Sequence, residues 1–230
     1  MTVLNLKQPL AAVFFDLDGT LADTATDLSI PINAMRQAQG LPALELSALR
    51  PHASHGARGL IGKGFGISPD HPQYEALRQD FLARYEAAMV VHTRLFDGMA
   101  DVLQALEARG IAWGVVSNKV ERYVRPIMAA LGVLDRAVSA VGGDTTPHAK
   151  PHPEPLLHAA RLARVDPRAC VYIGDDLRDV HAGQAAGMAT IAAAYGFCGE
   201  TPPVSQWGAD ALIDHPLELL NQLGLSQRAA

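Results

Sequence analysis

A chain of 230 residues, 49% hydrophobic and 19% charged, carries enough apolar surface for one large domain, or one domain with an insertion. Its formal net charge of -5 and pI near 6.0 argue against a non-specific nucleic-acid binder and leave no case for a polybasic membrane patch. Two cysteines, Cys170 and Cys198, make no disulfide framework and have no metal-site spacing. Met1 to Leu10 lacks the basic and apolar regions of a signal peptide, and no apolar run is long enough to span a bilayer; a cytoplasmic protein is expected.

The first expected element is a buried strand over about Ala12 to Phe15, leading directly into Asp16-Leu17-Asp18-Gly19-Thr20. The turn at Gly19 lets Asp16 and Asp18 both stand at the strand's carboxyl end, the edge where open α/β sheets bind ligands. Like charges there call for a cation or a shared proton, so the pair points to a divalent metal site and a carboxylate nucleophile. From Asp23 to about His92 the patterns are helical: Asp27 to Gln39, Leu46 to Leu49, His55 to Gly62 and His71 to Val91, the last with Asp70 as cap and Pro72 in its first turn.

Beyond Leu95, strand and helix alternate. Helices are expected over Met99 to Ala108, Val120 to Leu131, Pro153 to Leu162, Leu177 to Ala186 and Pro216 to Leu223, the first two stopping at Gly110 and Gly132. Strands are expected over Ile111 to Val116, Val138 to Val141, Ala169 to Ile173, Met188 to Ala193 and Ala211 to Ile213. This alternation predicts an α/β fold, a Rossmann-like doubly wound parallel sheet. The early helical block offers the first strand no partner, so it reads as an inserted helical cap: residues 23–93 as cap, 1–22 and 94–230 as core. Ser226 to Ala230 is expected to fray.

Three further strand ends carry polar residues of the same chemical theme. Ser117-Asn118-Lys119 follows a strand; a hydroxyl beside the first N–H groups of a helix makes an anion site, or Ser117 or Asn118 simply caps that helix. Lys150, before Pro151-His152-Pro153, can hold a phosphate oxygen as a point charge. Gly174-Asp175-Asp176-Leu177-Arg178-Asp179 crowds carboxylates at a strand end and the helix turn after it. His148 and His152 read as loop residues, and Gly62-Lys63-Gly64 lacks both the first glycine and the Ser/Thr of a phosphate-binding loop.

Taken in order, these four motifs resemble those of the haloacid dehalogenase superfamily: D-x-D-G-T, a strand-end Ser/Thr, a lysine before proline and G-D-D-x-x-D. The resemblance covers essentially the whole chain and implies a Rossmann-like core with a cap inserted after the first motif. It implies that Asp16 attacks phosphorus to form an aspartyl-phosphate and that Asp18 protonates the leaving oxygen and then activates water. By the same resemblance Ser117, Asn118 and Lys150 hold the phosphoryl group, Asp175 binds Mg²⁺ with Asp16 and the Asp18 carbonyl, and Asp179 takes an outer or water-mediated position. Asp18 favours phosphoryl transfer, since dehalogenating relatives lack the second aspartate.

Within the superfamily the chain is similar to phosphoglycolate phosphatases, and segments such as Gly174 to Gly183 also to N-acetylmuramic acid 6-phosphate phosphatases. The expected partner is thus a small phosphorylated metabolite, with neither nucleic acid nor membrane involved; the substrate stays open between the two, and oligomeric state is unreadable. Arg58, in the cap loop after His52-Ala53-Ser54-His55-Gly56-Ala57, is either a bidentate ligand for substrate or an exposed helix residue. Rival functions are a phosphomutase, which returns the phosphoryl group to a sugar, and a receiver-like module phosphorylated on Asp; the latter is shorter and has no inserted cap.

Overall fold

The computed structural model describes Leu4, Leu6 and residues 8–199 and 202–225; the expectation for Ser226 to Ala230 lies outside them. Strand β1 (Ala12–Phe15) is buried at every residue. It pairs in parallel with β4 (Ala112–Val116) on one side and β6 (Cys170–Gly174) on the other. β5 (Ala140–Val141), β7 (Ala189–Ala193) and β8 (Ala211–Ile213) complete a parallel sheet that is six-stranded among the described residues, in the order β5-β4-β1-β6-β7-β8. The chain turns outward from β1 to β4 and β5, then crosses to β6, so the crevice above β4, β1 and β6 is where the winding reverses.

Alternation of side chains divides β1 between two apolar layers. Val13 and Phe15 join one cluster with α5 (Met99–Glu107), α6 (Glu121–Ala130) and α9 (Glu218–Gln222). Ala12 and Phe14 join the other with α7 (Glu154–Ala163) and α8 (Leu177–Ala186). Covering both faces is what a parallel sheet of near-continuous apolar strands requires. Gly110 and Gly132 stand just past α5 and α6 at φ +67° and +69°, the left-handed conformation that ends a helix.

Between β1 and α5 the chain forms four helices: α1 (Ala25–Ala38), α2 (Leu46–Ala53), α3 (Gly56–Phe65) and α4 (Tyr74–Ala87). α1 packs on the other three. This helical cap is joined to the core through a short antiparallel ribbon, β2 (Ala22–Asp23) with β3 (Arg94–Leu95), which the sequence reading did not foresee. Two residues per strand are too few to leave a periodic trace. α4 also begins later than expected: Gln73 precedes it, and Asp70 and Pro72 lie in the turn before it. The turn is closed by His71 N–H to Ser68 O and Tyr74 N–H to His71 O. Among the described residues no helix is long and apolar enough to cross a membrane.

Candidate active site

Asp16 continues the β1 ladder, its N–H donating 2.9 Å to Ile173 O. Gly19 then turns the chain at φ +84°, and a Cβ there would strike the Asp175 carboxylate. The absence of a side chain is what lets the first loop lie against the loop after β6. Asp175 is fully buried and accepts from Thr20 Oγ1 at 2.9 Å, Phe197 N–H at 2.9 Å and Ser54 Oγ at 3.1 Å. Asp179 sits in the first turn of α8, where its Oδ2 accepts the Asp176 N–H at 3.1 Å as half of a capping box.

Asp16, Asp175 and Asp179 each offer a carboxylate oxygen, all within 4.8 Å of one another. Asp179 joins this cluster because one helical turn after Asp175 brings its side chain back over the strand end. Burial, then the charges of Asp16 and Asp179, push the Asp175 pKa well above the usual carboxylate value. Burial likewise raises Asp179, to about 7, against the opposing pull of Lys150. Like charges held this close and this dry need a cation. The donor set is hard, oxygen-only and short of a full shell, which suits Mg²⁺ with waters and phosphate completing it. Asp16, Asp175 and Asp179 are the residues that would hold it.

Lys150 is the internal counter-charge. Its ammonium lies 2.7 Å from Asp179 Oδ1 and 3.1 Å from Asp16 Oδ1, and donates to Val116 O at 3.0 Å and Tyr172 Oη at 2.8 Å. Burial works against its charge, but the two aspartates outweigh it and its pKa is raised. Asn118 fixes this loop: its Oδ1 accepts the Lys150 N–H and its Nδ2 donates to Lys150 O, both at 2.9 Å. The Asn118 side chain thus ties the Lys150 loop to the end of β4, and Asn118 also lines the cavity. Neither Ser117 nor Asn118 caps α6, whose preceding residue is Val120; Ser117 Oγ instead accepts the Lys119 N–H at 3.3 Å and lines the cavity.

Lys119 was missed as a site residue. Its ammonium bonds both Asp18 oxygens, at 2.9 and 3.0 Å, and Thr24 Oγ1 donates to Asp18 Oδ1 at 2.6 Å. Burial lowers the Lys119 pKa, yet Asp18 and then Tyr85 more than offset it and the net direction is up. The signal was available, since Lys119 directly follows Ser117-Asn118 at a strand end. A lysine opening a helix is commonly solvated, however, and only the fold brings it to Asp18.

A cavity of about 290 Å³ opens above these groups, walled on the far side by the cap. Ser54, His55 and Gly56 reach it from the α2–α3 turn. Arg178 Nη2 donates to Ser54 O at 2.8 Å and pairs with Asp176, docking that turn on the core. Burial, then the Arg178 charge, lower the His55 pKa, which favours its neutral form. Arg58 does not line the cavity. It lies exposed on α3, where the helix has carried its side chain away from the face that Ala57 presents. The cap guanidinium at the cavity, among the described residues, is instead Arg78 of α4.

A sequence profile of the haloacid dehalogenase-like hydrolases matches residues 13–193. The chain is 44% identical over 217 residues to an N-acetylmuramic acid 6-phosphate phosphatase of Pseudomonas aeruginosa, covering 94% of this chain and 96% of that protein. It is 45% identical over 209 residues to a phosphoglycolate phosphatase of Xanthomonas campestris pv. campestris, covering 90% and 94%. The crystal structure of a predicted phosphoglycolate phosphatase from Haemophilus somnus superposes with a TM-score of 0.81 at 26% identity, covering 94% of this chain and 98% of that one. Matching motifs, matching fold and a carboxylate cluster built for a hard cation converge, and the chain belongs to the haloacid dehalogenase-like hydrolase family as a Mg²⁺-dependent phosphatase.

Proposed function

We propose that the protein hydrolyses the phosphomonoester of a sugar-sized metabolite, N-acetylmuramic acid 6-phosphate, in preference to 2-phosphoglycolate. The cavity carries this reading. At about 290 Å³ it gives far more room than a two-carbon acid fills, and Phe81, Leu82 and Tyr123 supply apolar and aromatic surface suited to the face of a pyranose ring. The proposed division of labour has residues 23–93 as the cap that encloses the sugar and the rest as the core that performs the chemistry. The β2–β3 ribbon at the two crossing points supports that boundary.

In this reading a carboxylate oxygen of Asp16 attacks phosphorus and the phosphorus–oxygen bond to the sugar breaks, leaving an aspartyl-phosphate. Asp18 gives its proton to the departing sugar oxygen. It then takes a proton from the water that attacks phosphorus, releasing inorganic phosphate and restoring Asp16. The Lys119 and Thr24 bonds fix the position of the Asp18 carboxyl group for both transfers. Lys150 and Ser117 face the transferring phosphoryl group, where positioning and charge neutralisation are most of the catalysis. Bound Mg²⁺ supplies the remaining positive charge, so that a carboxylate can approach an anionic phosphate.

The test is phosphate release from both metabolites by purified protein, with Mg²⁺ and after chelation. The expected kcat/KM is at least about tenfold higher for N-acetylmuramic acid 6-phosphate, the scale on which a filled pocket discriminates. Faster hydrolysis of 2-phosphoglycolate overturns the substrate assignment. Asp16→Asn should reduce turnover to background on either substrate, and residual activity near wild type removes Asp16 as nucleophile. Appearance of an isomeric sugar phosphate in place of inorganic phosphate marks a mutase.

A further inference from the structure

We propose that one face of α4, from Tyr85 to Arg78, is the strip that reads the leaving group, and that Arg78 pairs with a carboxylate at the substrate's far end. The proposal rests on the sugar-sized reading above and goes beyond it by assigning the discrimination to named side chains.

Arg78, Phe81, Leu82 and Tyr85 all line the cavity. Their spacing, i, i+3, i+4 and i+7, is that of one helix face. Seven residues at the helical rise span roughly 10 Å. The strip begins at the chemistry, where the Lys119 ammonium lies 4.9 Å from the Tyr85 ring centroid and is itself bonded to Asp18. It ends at the mouth, where the Arg78 side chain is 44% exposed.

The Tyr85 hydroxyl is the stronger pointer. Its residue is 2% exposed, and its oxygen is buried with no hydrogen-bond partner among the described residues. Lys119 acts on it by charge and by a side-chain hydrogen-bond interaction, but that ammonium is chiefly engaged by both Asp18 oxygens. The ring is fixed by parallel stacking on Phe81 at 6.1 Å and an edge contact with Tyr123 at 5.8 Å. Burial, as the largest influence, keeps the hydroxyl protonated. A rigid, neutral O–H on a residue that lines the cavity, with only an already engaged ammonium beside it, is a ready hydrogen-bonding group for a hydroxyl or amide near the scissile ester.

Arg78 is equally free to change partners. Its ion pair is with Glu75 on the same helix, at 3.3 Å and exposed on both sides, a contact that contributes little. Between the two polar ends, Phe81 and Leu82 offer apolar surface. The strip therefore fits a phosphomonoester with a polar substituent close to the ester, a ring in the middle and a carboxylate at the opposite end. N-acetylmuramic acid 6-phosphate has this order, its phosphate on C6 and its carboxyl-bearing ether on C3. A two-carbon phosphoacid held at Asp16 is too short to reach the mouth.

The experiment compares kcat/KM on N-acetylmuramic acid 6-phosphate and on N-acetylglucosamine 6-phosphate, which shares the ring, amide and phosphate but lacks the carboxyl-bearing ether. Wild type should prefer the former. Arg78→Ala should lower that preference about tenfold, mainly through KM, and Arg78→Lys should restore part of it. Tyr85→Phe should lower kcat/KM on both sugars by about fivefold. An unchanged preference in Arg78→Ala overturns the carboxylate assignment, and wild-type kcat/KM in Tyr85→Phe overturns the hydroxyl's role. A wild-type enzyme that favours 2-phosphoglycolate over both sugars overturns the strip together with the proposed substrate. An intact sugar preference with unaltered variants overturns the strip alone.

Discussion

Tyr85 and Lys150 show opposite ways of burying a polar group. Lys150 is surrounded by acceptors, with two aspartates, a carbonyl and a phenol, so its charge is fully answered. The Tyr85 hydroxyl has only the Lys119 ammonium beside it, and both Asp18 oxygens already engage that ammonium. An unmet buried donor costs about 1–3 kcal/mol, and removing the hydroxyl while keeping the ring recovers it. Tyr85→Phe should therefore melt roughly 2–12 °C higher than wild type while hydrolysing sugar phosphates more slowly, given about 2–4 °C per kcal/mol at this size. Thermal unfolding monitored by circular dichroism checks this, and a lowered Tm would mean that the hydroxyl supports the fold.

At the scale of elements, the cap leaves and rejoins the core at one carboxylate. Asp27, buried in the first turn of α1, accepts the N–H groups of Val91 and His92 at 3.0 Å and of Thr93 at 2.8 Å, together with Thr93 Oγ1 at 2.7 Å. The segment returning from α4 is thus strapped to the helix that opens the cap, next to the β2–β3 ribbon. Bonds to a charged acceptor are the stronger kind, and an amide at this position also adds an N–H with no acceptor waiting. Asp27→Asn should cost about 2–3 kcal/mol, read as a lower urea midpoint. An unchanged midpoint would show that the strap is held by apolar packing alone. At its other end the cap docks through Arg178 on Ser54 O, and Ser54 Oγ reaches Asp175. Cap position and metal cluster therefore share a residue.

For the whole molecule, that cluster links stability to pH and to Mg²⁺. Asp175 and Asp179 have folded pKa values raised above the unfolded 3.8, Asp179 to about 7, by burial first and by neighbouring carboxylates. The folded metal-free protein holds protons that the unfolded chain releases. Its stability is greatest below the unfolded value and falls as pH rises toward the folded one. Bound Mg²⁺ compensates the exposed negative charge, so its benefit grows over the same range. At a hundred times its Kd, a ligand stabilises by about 2.7 kcal/mol, on the order of 5–10 °C here. Saturating Mg²⁺ should raise Tm by that amount at pH 7.5 and by clearly less at pH 5. An equal response at both pH values would break the link between the cluster and the ion.

The chain's local chemistry determined its class and the order of its motifs. An unbroken apolar run from Ala11 to Phe15 is legible as a buried strand, and Asp16, Ser117, Lys150 and Asp175 each follow the end of an apolar run or precede a proline-stiffened helix. Covalent order and periodicity carry those facts. The long helical stretch before Leu95 marked an insertion for the same reason. What no window of sequence contains is which distant side chains meet. Lys119 reaches Asp18 across 101 residues, and Asp179 enters the metal cluster only because α8 starts in a capping box above β6. Arg58 and Arg78 are each an arginine in a helical pattern with nothing local to mark its direction. The packing of α3 and α4 over the sheet turned one to solvent and the other to the cavity, since a helix face has a function only once its neighbours decide where it points.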